Sequence, residues 1–281
     1  DWTPFFISWS LAGKFPKILE DEVVGEAATD LYNQAQIMLK DIIENNRFDA
    51  RAVFGLYPAQ RTGADTVSVF DEAGQTVTHT FEHLRQQSDK VTGKPNLSLA
   101  DFISTSKDNT DYLGGFTVSI FGAEELANEY KAKGDDYSAI LIQSLADRFA
   151  EAFAEHLHER IRKEFWGYKA DETLGNEELI KEKYVGIRPA PGYPACPEHS
   201  EKAVLFDWLG SEAKIGTKLT EHFAMMPPSS VSGFYYSHPQ SEYFNVGTVS
   251  QDQLEDYAQR KGWTLDEAKR WLAPNLDDSI V

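Results

Sequence analysis

Two long stretches of the chain place hydrophobic residues at the spacing of an α-helix. The longer stretch, "YSAILIQSLADRFAEAFAEHLHERIRKEFWGY", runs from Tyr137 to about Tyr168. The other, "DLYNQAQIMLKDIIENN", follows Thr29, a residue type favoured at the position before a helix. Both patterns predict amphipathic helices. The residues assigned to the buried face are Leu31, Ala35, Met38, Leu39 and Ile42 in the helix after Thr29. In the longer helix they are Leu141, Leu145, Phe149, Ala152, Phe153, Leu157, Ile161 and Phe165.

Other stretches carry the pattern of β-strands. "RAVFGLYPAQ" and "DTVSVFDEAGQTVTHTF" alternate between apolar and polar residues, and Gly74 marks a hairpin turn in the second of them. "GGFTVSIFG", residues 114–122, predicts a further strand. "VSGFYYSHPQSEYFNVGTV" predicts two aromatic-rich strands around a turn at Pro239.

The remaining patterns predict short helices and set the fold class. "NEELIKEKY", "QDQLEDYAQRKG" and "TLDEAKRWL" have helical spacing, and Thr264 with Glu267 forms a capping box at the start of the last one. Strands and helices do not alternate as they do in parallel-sheet proteins. We therefore expect an α+β fold, with a twisted antiparallel sheet flanked by many helices. Because no linker interrupts the chain, residues 1–281 are expected to form a single domain.

Composition and charge narrow the function classes. The chain has 281 residues, one cysteine and a formal net charge of −18. This acidity argues against nucleic acid as a partner, because binding phosphates requires a basic face. No run approaches the roughly 18 apolar residues of a membrane span, and a single cysteine is typical of the reducing cytoplasm. The start, "DWTPFFISWSLAGKF", has neither signal-peptide features nor an initiator Met, so we expect a fragment of a longer polypeptide.

The segment "GIRPAPGYPACPEHSEK", residues 186–202, concentrates four prolines around Gly192. Prolines fix φ and remove backbone donors, so neither a helix nor a central strand is expected there. Gly192 lets the backbone approach a ligand closely, and Arg188 offers a planar fork suited to a carboxylate. The segment predicts a preformed site for a small amino-acid-like ligand. A rigid surface loop with a structural salt bridge is the alternative.

Cys196 and His199 in this segment suggest two kinds of chemistry. They could be a nucleophile with its base, or half of a zinc site. A zinc site needs four ligands, and the sequence has no second cysteine. A packed cysteine beside a loop histidine is the favoured interpretation.

Two further clusters have both a structural and a functional interpretation. Acidic residues four positions apart form a stripe along the long helix, which is typical of a solvated face but could also meet a cation. Aromatic residues crowd the last predicted hairpin, where they pack in the core or receive a cationic ligand such as a sulfonium. The stripe consists of Asp147, Glu151, Glu155 and Glu159, with His156 and His158 beside it, and the aromatic cluster of Phe234, Tyr235, Tyr236, Tyr243 and Phe244.

Several of these motifs together resemble one known family. "DWTPFF", "LAGKFP", "ADRFAEAFAEHLHERIRKEFWGY", "GIRPAPGYPACPEHSEK", "KLTEHFAM" and "WLAPNL" closely resemble the C-terminal activation domain of cobalamin-dependent methionine synthase. The resemblance runs from Asp1 to about Asn275, and its most specific part is "RPAPGYPACPEH".

The resemblance implies a domain that binds S-adenosyl-L-methionine and serves reductive reactivation. When cob(I)alamin is oxidised to inert cob(II)alamin, a reductant supplies an electron and S-adenosylmethionine supplies the methyl group. The parent enzyme transfers methyl from methyltetrahydrofolate to homocysteine, and the isolated domain is not expected to make methionine. Because cobalt is the nucleophile and the sulfonium carries its own leaving group, the protein mainly provides orientation, and no catalytic residue is expected here.

The resemblance also implies roles for individual residues. Arg188 would pair with the methionyl carboxylate, and backbone groups just after it would hold the ligand's polar edges. Asp147 matches a position associated with docking of the cobalamin domain. The expected ligand-contacting residues are Asp1, Glu151, Arg188, Ala190, Gly192, Tyr193, Tyr243 and Phe244.

Partners follow from the same resemblance. Cobalamin would be bound mainly by a neighbouring domain of the same polypeptide, and zinc only elsewhere in the parent enzyme. A cytoplasmic monomer is expected, with flavodoxin or another reductase as electron donor. Flavodoxin is acidic, so the cluster Arg160, Arg162 and Lys163 is a hypothetical attractant. An S-adenosylmethionine-sensing module without a catalytic role and a free-standing methyltransferase remain as alternatives.

Overall fold

The computed structural model of the protein describes residues 1–106, 110–277 and 280. Within these residues the chain forms nine α-helices and seven β-strands. The helices are α1 (Thr3–Ser8), α2 (Gly25–Glu44), α3 (Ala123–Ala132), α4 (Asp136–Arg160), α5 (Asn176–Ile180), α6 (Glu201–Leu209), α7 (Ser211–Ile215), α8 (Gln251–Lys261) and α9 (Leu265–Leu272). The strands are β1 (Asp49–Arg61), β2 (Thr66–Phe70), β3 (Val77–Glu82), β4 (Asp111–Phe121), β5 (Lys218–Leu219), β6 (Met225–Met226) and β7 (Ser230–Tyr235).

Five strands form one sheet in the order β3-β2-β1-β4-β7. β2 pairs antiparallel with both neighbours, so that Val67 lies opposite Arg61 of β1 and Phe81 of β3. The turn between β2 and β3 closes as predicted, because Gly74 adopts a φ of 69° and the Asp71 carboxylate accepts a 2.8 Å hydrogen bond from the Gln75 backbone. The predicted α+β class with an antiparallel sheet is confirmed.

The chain divides into two compact units, each made of three stretches of sequence. Unit 1 consists of Asp1–Ala52, Val118–Leu157 and Met225–Val231. Unit 2 consists of Val53–Thr117, His158–Ala224 and Ser232–Val281. That residues 1–281 make one domain stays a prediction. None of the helices in the described residues is long and apolar enough to cross a membrane.

Helix α2 supplies much of the core of unit 1. It begins at Gly25, not after Thr29 as predicted. In the turn that leads into the helix, the Asp21 carboxylate accepts hydrogen bonds from the backbones of Val23 (2.9 Å) and Val24 (3.0 Å), and the Gly25 backbone donates to the Asp21 carbonyl (2.9 Å), so the chain is already turning when the helix starts. The predicted apolar face is confirmed. Its fully buried members are Leu31, Ala35 and Ile42, and its partly buried members are Met38 and Leu39.

The long predicted helix changes pitch near its end. α4 stops at Arg160, and residues Ile161–Phe165 form one π-helical turn. The Trp166 backbone donates to the Ile161 carbonyl over 2.9 Å, which is the wider spacing of a π-helix. Gly167, with a φ of 75°, follows this turn. The apolar periodicity, which predicts a helix to about Tyr168, therefore overestimates its length, since the helical turns end at Phe165, and does not predict the change of geometry.

The predicted aromatic hairpin after Val231 is wrong in its second half. Only β7 is a strand, and residues 241–248, which include Tyr243 and Phe244, form a loop. The partner of β7 at its other edge, away from β4, is the proline-rich segment of residues 186–202, called here the proline segment. Ile187 and Tyr236 exchange two backbone hydrogen bonds of 3.0 Å each, and Phe234 donates to the Pro189 carbonyl over 2.9 Å. A distant segment therefore takes the position predicted for the neighbouring strand.

The C-terminal helices lie where the pattern predicts them. α8 and α9 are separated at Gly262, which has a φ of 67°. The Thr264 hydroxyl accepts a 3.2 Å hydrogen bond from the Glu267 backbone, which is one half of the predicted capping box. The short helices α1, α3, α6 and α7 are additions that the sequence pattern did not predict.

Gly115 in β4 gives a test of this packing. A Cβ at Gly115 would lie 2.5 Å from Cζ3 of Trp208 and 3.0 Å from Cδ1 of Leu205, both of which are buried in α6. We expect Gly115→Ala to lower the free energy of unfolding by about 1–3 kcal/mol, the usual cost of overpacking a core. The midpoint of urea denaturation, followed by tryptophan fluorescence, measures this change. Gly175→Ala is the control because a Cβ there meets no atom within 4 Å, and equal losses in the two variants would contradict the prediction.

Candidate functional site

The proline segment is held against β7 by backbone hydrogen bonds that suit its composition. Pro189 has no N–H, and it takes part in the pairing through its carbonyl alone. The approach is close at Gly233, where a Cβ would lie 2.6 Å from the Pro189 oxygen. The start of the segment is therefore fixed to the sheet, and this fixes the point from which the following residues leave the sheet.

Residues 190–196 then form a compact turn. The Tyr193 backbone donates to the Ala190 carbonyl (3.1 Å), the Cys196 backbone to the Tyr193 carbonyl (2.9 Å) and the Gly192 backbone to the Cys196 carbonyl (2.7 Å). Gly192 has a φ of 95°, a left-handed conformation that favours glycine. Ala190 is buried, whereas Gly192 and Tyr193 are exposed. The turn thus presents backbone to the surface in one fixed conformation.

Arg188, just before this turn, connects it to three side chains of unit 2. The Arg188 backbone donates to the Tyr243 hydroxyl over 3.0 Å. Its Nη1 donates to the Tyr184 hydroxyl (3.0 Å) and lies 3.2 Å from Nδ1 of His158. The guanidinium is half-buried, so its position is set by these contacts and not only by solvent.

His158 is fully buried, which corrects its expected place beside a solvated stripe. Its ring stacks on Tyr235, with centroids 5.2 Å apart and an angle of 15° between the planes. Burial, together with the positive charges of Arg162 and Arg188, holds the pKa of His158 well below its ordinary range. Because Arg188 can only donate, Nδ1 must be the acceptor and the proton lies on Nε2. A neutral histidine therefore orients the arginine.

Tyr184 is the second residue that orients Arg188. Its ring is buried, and its hydroxyl lies 3.1 Å from that of Tyr243. The Arg162 guanidinium sits 4.4 Å from the centre of the Tyr184 ring, a cation–π geometry. Arg162 itself forms a bidentate pair with Glu172, at 2.8 and 2.6 Å. A buried ion pair thus supports the tyrosine, and the tyrosine supports Arg188.

The same geometry corrects the predicted attractant for an acidic reductase. Arg162 is fully buried and cannot contribute to a surface patch. Arg160 pairs with Glu164 (2.8 Å) and Lys163 with Glu159 (3.3 Å). The cluster is consequently not the cationic surface that the sequence suggests.

The loop that carries Tyr243 and Phe244 is tied to the proline segment, because the Val246 backbone donates to the Pro194 carbonyl over 2.9 Å. The two aromatic residues then diverge. Tyr243 is partly exposed and meets Arg188, while Phe244 is partly buried and packs against Phe102 with ring centroids 6.4 Å apart. Within the predicted aromatic cluster, Phe234, Tyr235 and Tyr236 are fully buried, as the core interpretation requires.

Cys196 and His199 do not form a reactive pair. The Cys196 side chain is buried, and burial raises the pKa of its thiol well above the ordinary value. His199 instead contacts Lys202, whose Nζ lies 2.9 Å from Nδ1. Among residues 1–106, 110–277 and 280, no group of three or more His, Cys, Asp or Glu side chains could hold a metal ion.

The other predicted site residues belong to unit 1. Asp1 is exposed, and its carboxylate accepts a 2.9 Å hydrogen bond from the Thr3 backbone. Asp147 is exposed on α4 and accepts a 2.7 Å hydrogen bond from the Ser229 hydroxyl, while Glu151, one turn further on, is half-buried. Asp1 lines a cavity of about 190 Å³ with Trp2, Leu39, Leu145, Arg148, Phe149 and Ala152, and Asp147 lines another of about 260 Å³ with Ile120, Ala123, Glu124, Gln143, Pro227, Pro228 and Ser229.

Unit 2 therefore brings together most of the predicted ligand-contacting residues. Arg188, the turn at Gly192 and Tyr243 are joined by direct contacts. Sequence reasoning missed Tyr184 and the part played by His158. Tyr184 stands four residues before Arg188 without any periodic signal, and His158 is one of several polar residues on a long helix, so only the folded contacts identify them.

Comparison with known proteins assigns the chain to a family. Residues 1–262 match the activation domain of vitamin B12 dependent methionine synthase. The chain belongs to this family. The chain is also similar to a crystal structure of the MetH reactivation domain bound to AdoHcy, with 53% sequence identity and a TM-score of 0.94. The alignment covers 98% of this chain and 85% of that chain. The resemblance stated from the sequence motifs is confirmed for this activation domain.

The neutral state of His158 predicts a pH dependence of stability. The folded pKa is lowered, so below about pH 6.5 the unfolded chain binds more protons and the free energy of unfolding falls as the pH falls. Because the unfolded histidine is about half protonated at pH 6.5 and about nine-tenths protonated at pH 5.5, His158 should contribute about 1 kcal/mol to the fall over this pH unit. His158→Phe keeps an aromatic ring against Tyr235 but cannot be protonated, so its slope between pH 6.5 and 5.5 should be smaller by that amount in urea titrations.

The matched control for this measurement is His156→Phe, which replaces an exposed histidine on the same helix and should keep the wild-type slope. His83, which burial gives a pKa of about 3, contributes equally to all three proteins and cancels. An unchanged slope in His158→Phe would contradict the neutral, buried assignment.

Proposed function

We propose that this activation domain binds S-adenosyl-L-methionine at the proline segment of unit 2, and that binding serves reductive reactivation of a parent methionine synthase. The observation that carries the proposal is the arrangement of Arg188 at the start of an exposed, internally hydrogen-bonded turn. The solved relative bound to AdoHcy supports it, because AdoHcy is S-adenosylmethionine without the transferred methyl group. The two molecules share the carboxylate, amino and adenosine groups that such a site would recognise.

The residues of the site fit the polar end of this ligand. Arg188 would bind the methionyl carboxylate through its planar fork. Its half-buried position strengthens such a contact relative to one in bulk water. Backbone groups at Ala190, Gly192 and Tyr193 would then meet the remaining polar edges, and their mutual hydrogen bonds mean that little ordering is needed on binding.

The aromatic residues complete the part of the proposed set that lies in unit 2. Tyr243 is held by Arg188 and Tyr184 and is partly exposed, so its ring can lie along a ligand. Phe244 contributes only the part of its ring that does not pack in the core. The assignment of Asp1 and Glu151 to the ligand depends on the resemblance alone.

The main contribution expected of this domain to methyl transfer is to hold S-adenosylmethionine in the correct position. A sulfonium already carries a good leaving group, so a methyl acceptor needs orientation more than acid–base help. Cobalamin, bound mainly by a neighbouring domain of the parent polypeptide, would supply that acceptor once a reductase such as flavodoxin has delivered an electron.

The wider context is proposed in the same way. The parent enzyme would be a cytoplasmic methyltransferase that converts homocysteine to methionine with methyltetrahydrofolate, and zinc would belong to its other domains. The isolated domain would be a monomer that binds ligand without making methionine. Asp147 is the proposed docking residue for the cobalamin domain, as the resemblance implies, and its carboxylate is exposed and is oriented by Ser229.

Substitution of Arg188 tests the ligand site. Arg188→Ala removes a charge-assisted contact to a carboxylate and should weaken S-adenosylmethionine binding by about 2–5 kcal/mol, roughly 30-fold or more in Kd. Arg188→Lys should recover only part of the loss because an ammonium lacks the fork. Isothermal titration calorimetry on the isolated domain measures both, after circular dichroism has shown that each variant is folded.

Cys196→Ser is the companion control, because this side chain packs in the core and has no proposed role in binding. It should change the affinity far less than Arg188→Ala. If Arg188→Ala lowers only the melting temperature and leaves the affinity intact, the segment is a structural loop and the proposed site is wrong.

Substitution of Asp147 separates ligand binding from docking. Asp147→Asn retains an acceptor for the Ser229 hydroxyl but removes the charge, so S-adenosylmethionine affinity should stay at the wild-type value. In the full-length enzyme, the same change should slow the return of methionine synthesis after the cobalamin has been oxidised. Glu129→Gln, at an exposed position of α3, is the control for loss of one negative charge. A loss of ligand affinity with a normal rate of reactivation would contradict the docking role.

A further inference from the structure

The imidazole of His199 occupies the space beside Gly192 where any other residue would carry its side chain. A Cβ built on Gly192 would overlap Cε1 of His199 and would lie 2.7 Å from Nδ1 and 3.1 Å from Nε2. Gly192 also has a φ of 95°, so both its conformation and its surroundings favour glycine. The ring therefore packs directly on the backbone of the turn at residues 190–196.

Lys202 holds that ring in place. Its Nζ donates to Nδ1 of His199 (2.9 Å) and to the Phe223 carbonyl (3.1 Å). Lys202 is only 8% exposed, so its ammonium group has less freedom to leave these partners than that of a surface lysine. The Lys202 backbone also donates to the His199 carbonyl over 3.1 Å, so both residues are fixed at the start of α6.

These contacts define the protonation state of His199. An ammonium group can only donate, so Nδ1 must be an acceptor and the ring must be neutral with its proton on Nε2. His199 is exposed at the surface, but partial desolvation of its ring and the charge of Lys202 both lower its pKa, and Glu198 opposes them. Lys202 and Glu198 are the charged groups that act on this ring.

We propose that His199 is a positioning residue for the ligand site: its neutral ring, held by Lys202, fixes the turn at Gly192 in the conformation that binds S-adenosylmethionine. The inference depends on the proposed function, because it names what keeps that site preformed. Without the ring, the turn retains its own hydrogen bonds but loses the surface that restricts Gly192, whose intrinsic freedom is the largest of any residue. Ordering the turn would then have to occur on binding, at a cost in affinity.

Calorimetric titration of the isolated domain with S-adenosylmethionine tests the role of the ring. His199→Ala should weaken binding about tenfold at pH 7.5 with a small change in melting temperature. His199→Phe keeps a flat ring but cannot accept from Lys202, and its affinity should lie between those of His199→Ala and wild type. His222→Ala, which removes an exposed histidine from the turn between β5 and β6, should bind as the wild type does.

The pH dependence of affinity tests the role of Lys202. Lys202→Met keeps the length of the side chain but removes the charge that lowers the pKa of His199, so the ring should protonate at a higher pH. Affinity in Lys202→Met should therefore fall between pH 7.5 and 5.5 toward that of His199→Ala, while the wild type changes less over this range. The double variant Lys202→Met/His199→Ala should lose this extra pH dependence, which assigns it to the ring.

Three outcomes would overturn the inference. Wild-type affinity in both His199 variants would show that the ring is not needed. A lower melting temperature with unchanged affinity would make His199 merely structural, and parallel pH profiles in wild type and Lys202→Met would remove the role of the lysine. If the wild-type domain binds no S-adenosylmethionine at all, the proposed function fails first, and this result is distinct from the other three.

Discussion

The pairing of the proline segment with β7 is the constraint on which the site depends. Three backbone hydrogen bonds join Ile187 and Pro189 to Tyr236 and Phe234, and they fix the chain immediately on both sides of Arg188. The arginine is thus placed by the sheet and not by a flexible loop. The turn at residues 190–196 starts from the same paired residues, so the Arg188 guanidinium and the exposed backbone of the turn are held in a fixed position relative to each other. Preorganisation of this kind lowers the ordering that a ligand must otherwise impose.

A second layer of polar side chains supports this frame from within unit 2. Arg162 forms a buried ion pair with Glu172 and places its guanidinium over the ring of Tyr184. Tyr184 and the neutral His158 then accept hydrogen bonds from the Arg188 guanidinium. Removing one member of a buried charge pair leaves the other uncompensated, so this layer is sensitive to single substitutions. The π-helical turn that contains Arg162 follows directly from α4. The first residue of this polar network, Arg162, therefore lies where the helix changes from α to π geometry.

The sequence predicts local structure well where one periodic signal decides it. The apolar face of α2, the hairpin at Gly74 and the Thr264 cap all follow from residue type and spacing. The failures lie where distant segments compete. The second aromatic strand is absent because residues 187–189 pair with β7, and spacing along the chain cannot express that choice. Arg188 and Gly192 are predicted from local chemistry, whereas His158 contacts Arg188 from 30 residues away and Tyr184 is held by the distant residues Arg162 and Tyr243. Arg162 looked like a surface charge because helical spacing does not reveal a partner ten residues away.

The position of the prolines also bears on how the sheet ends. β7 is the last strand in the sheet order, and an uncovered edge strand offers its N–H and C=O groups to any extended chain that meets it. Here residues 187–189 cover that edge by pairing with Phe234 and Tyr236, the Arg188 N–H between them is taken by the Tyr243 hydroxyl, and the chain then leaves the edge in the turn at residues 190–196. A further strand could not continue the ladder along such a segment. The same residues that hold Arg188 in place thereby protect the sheet from edge-to-edge association with other chains.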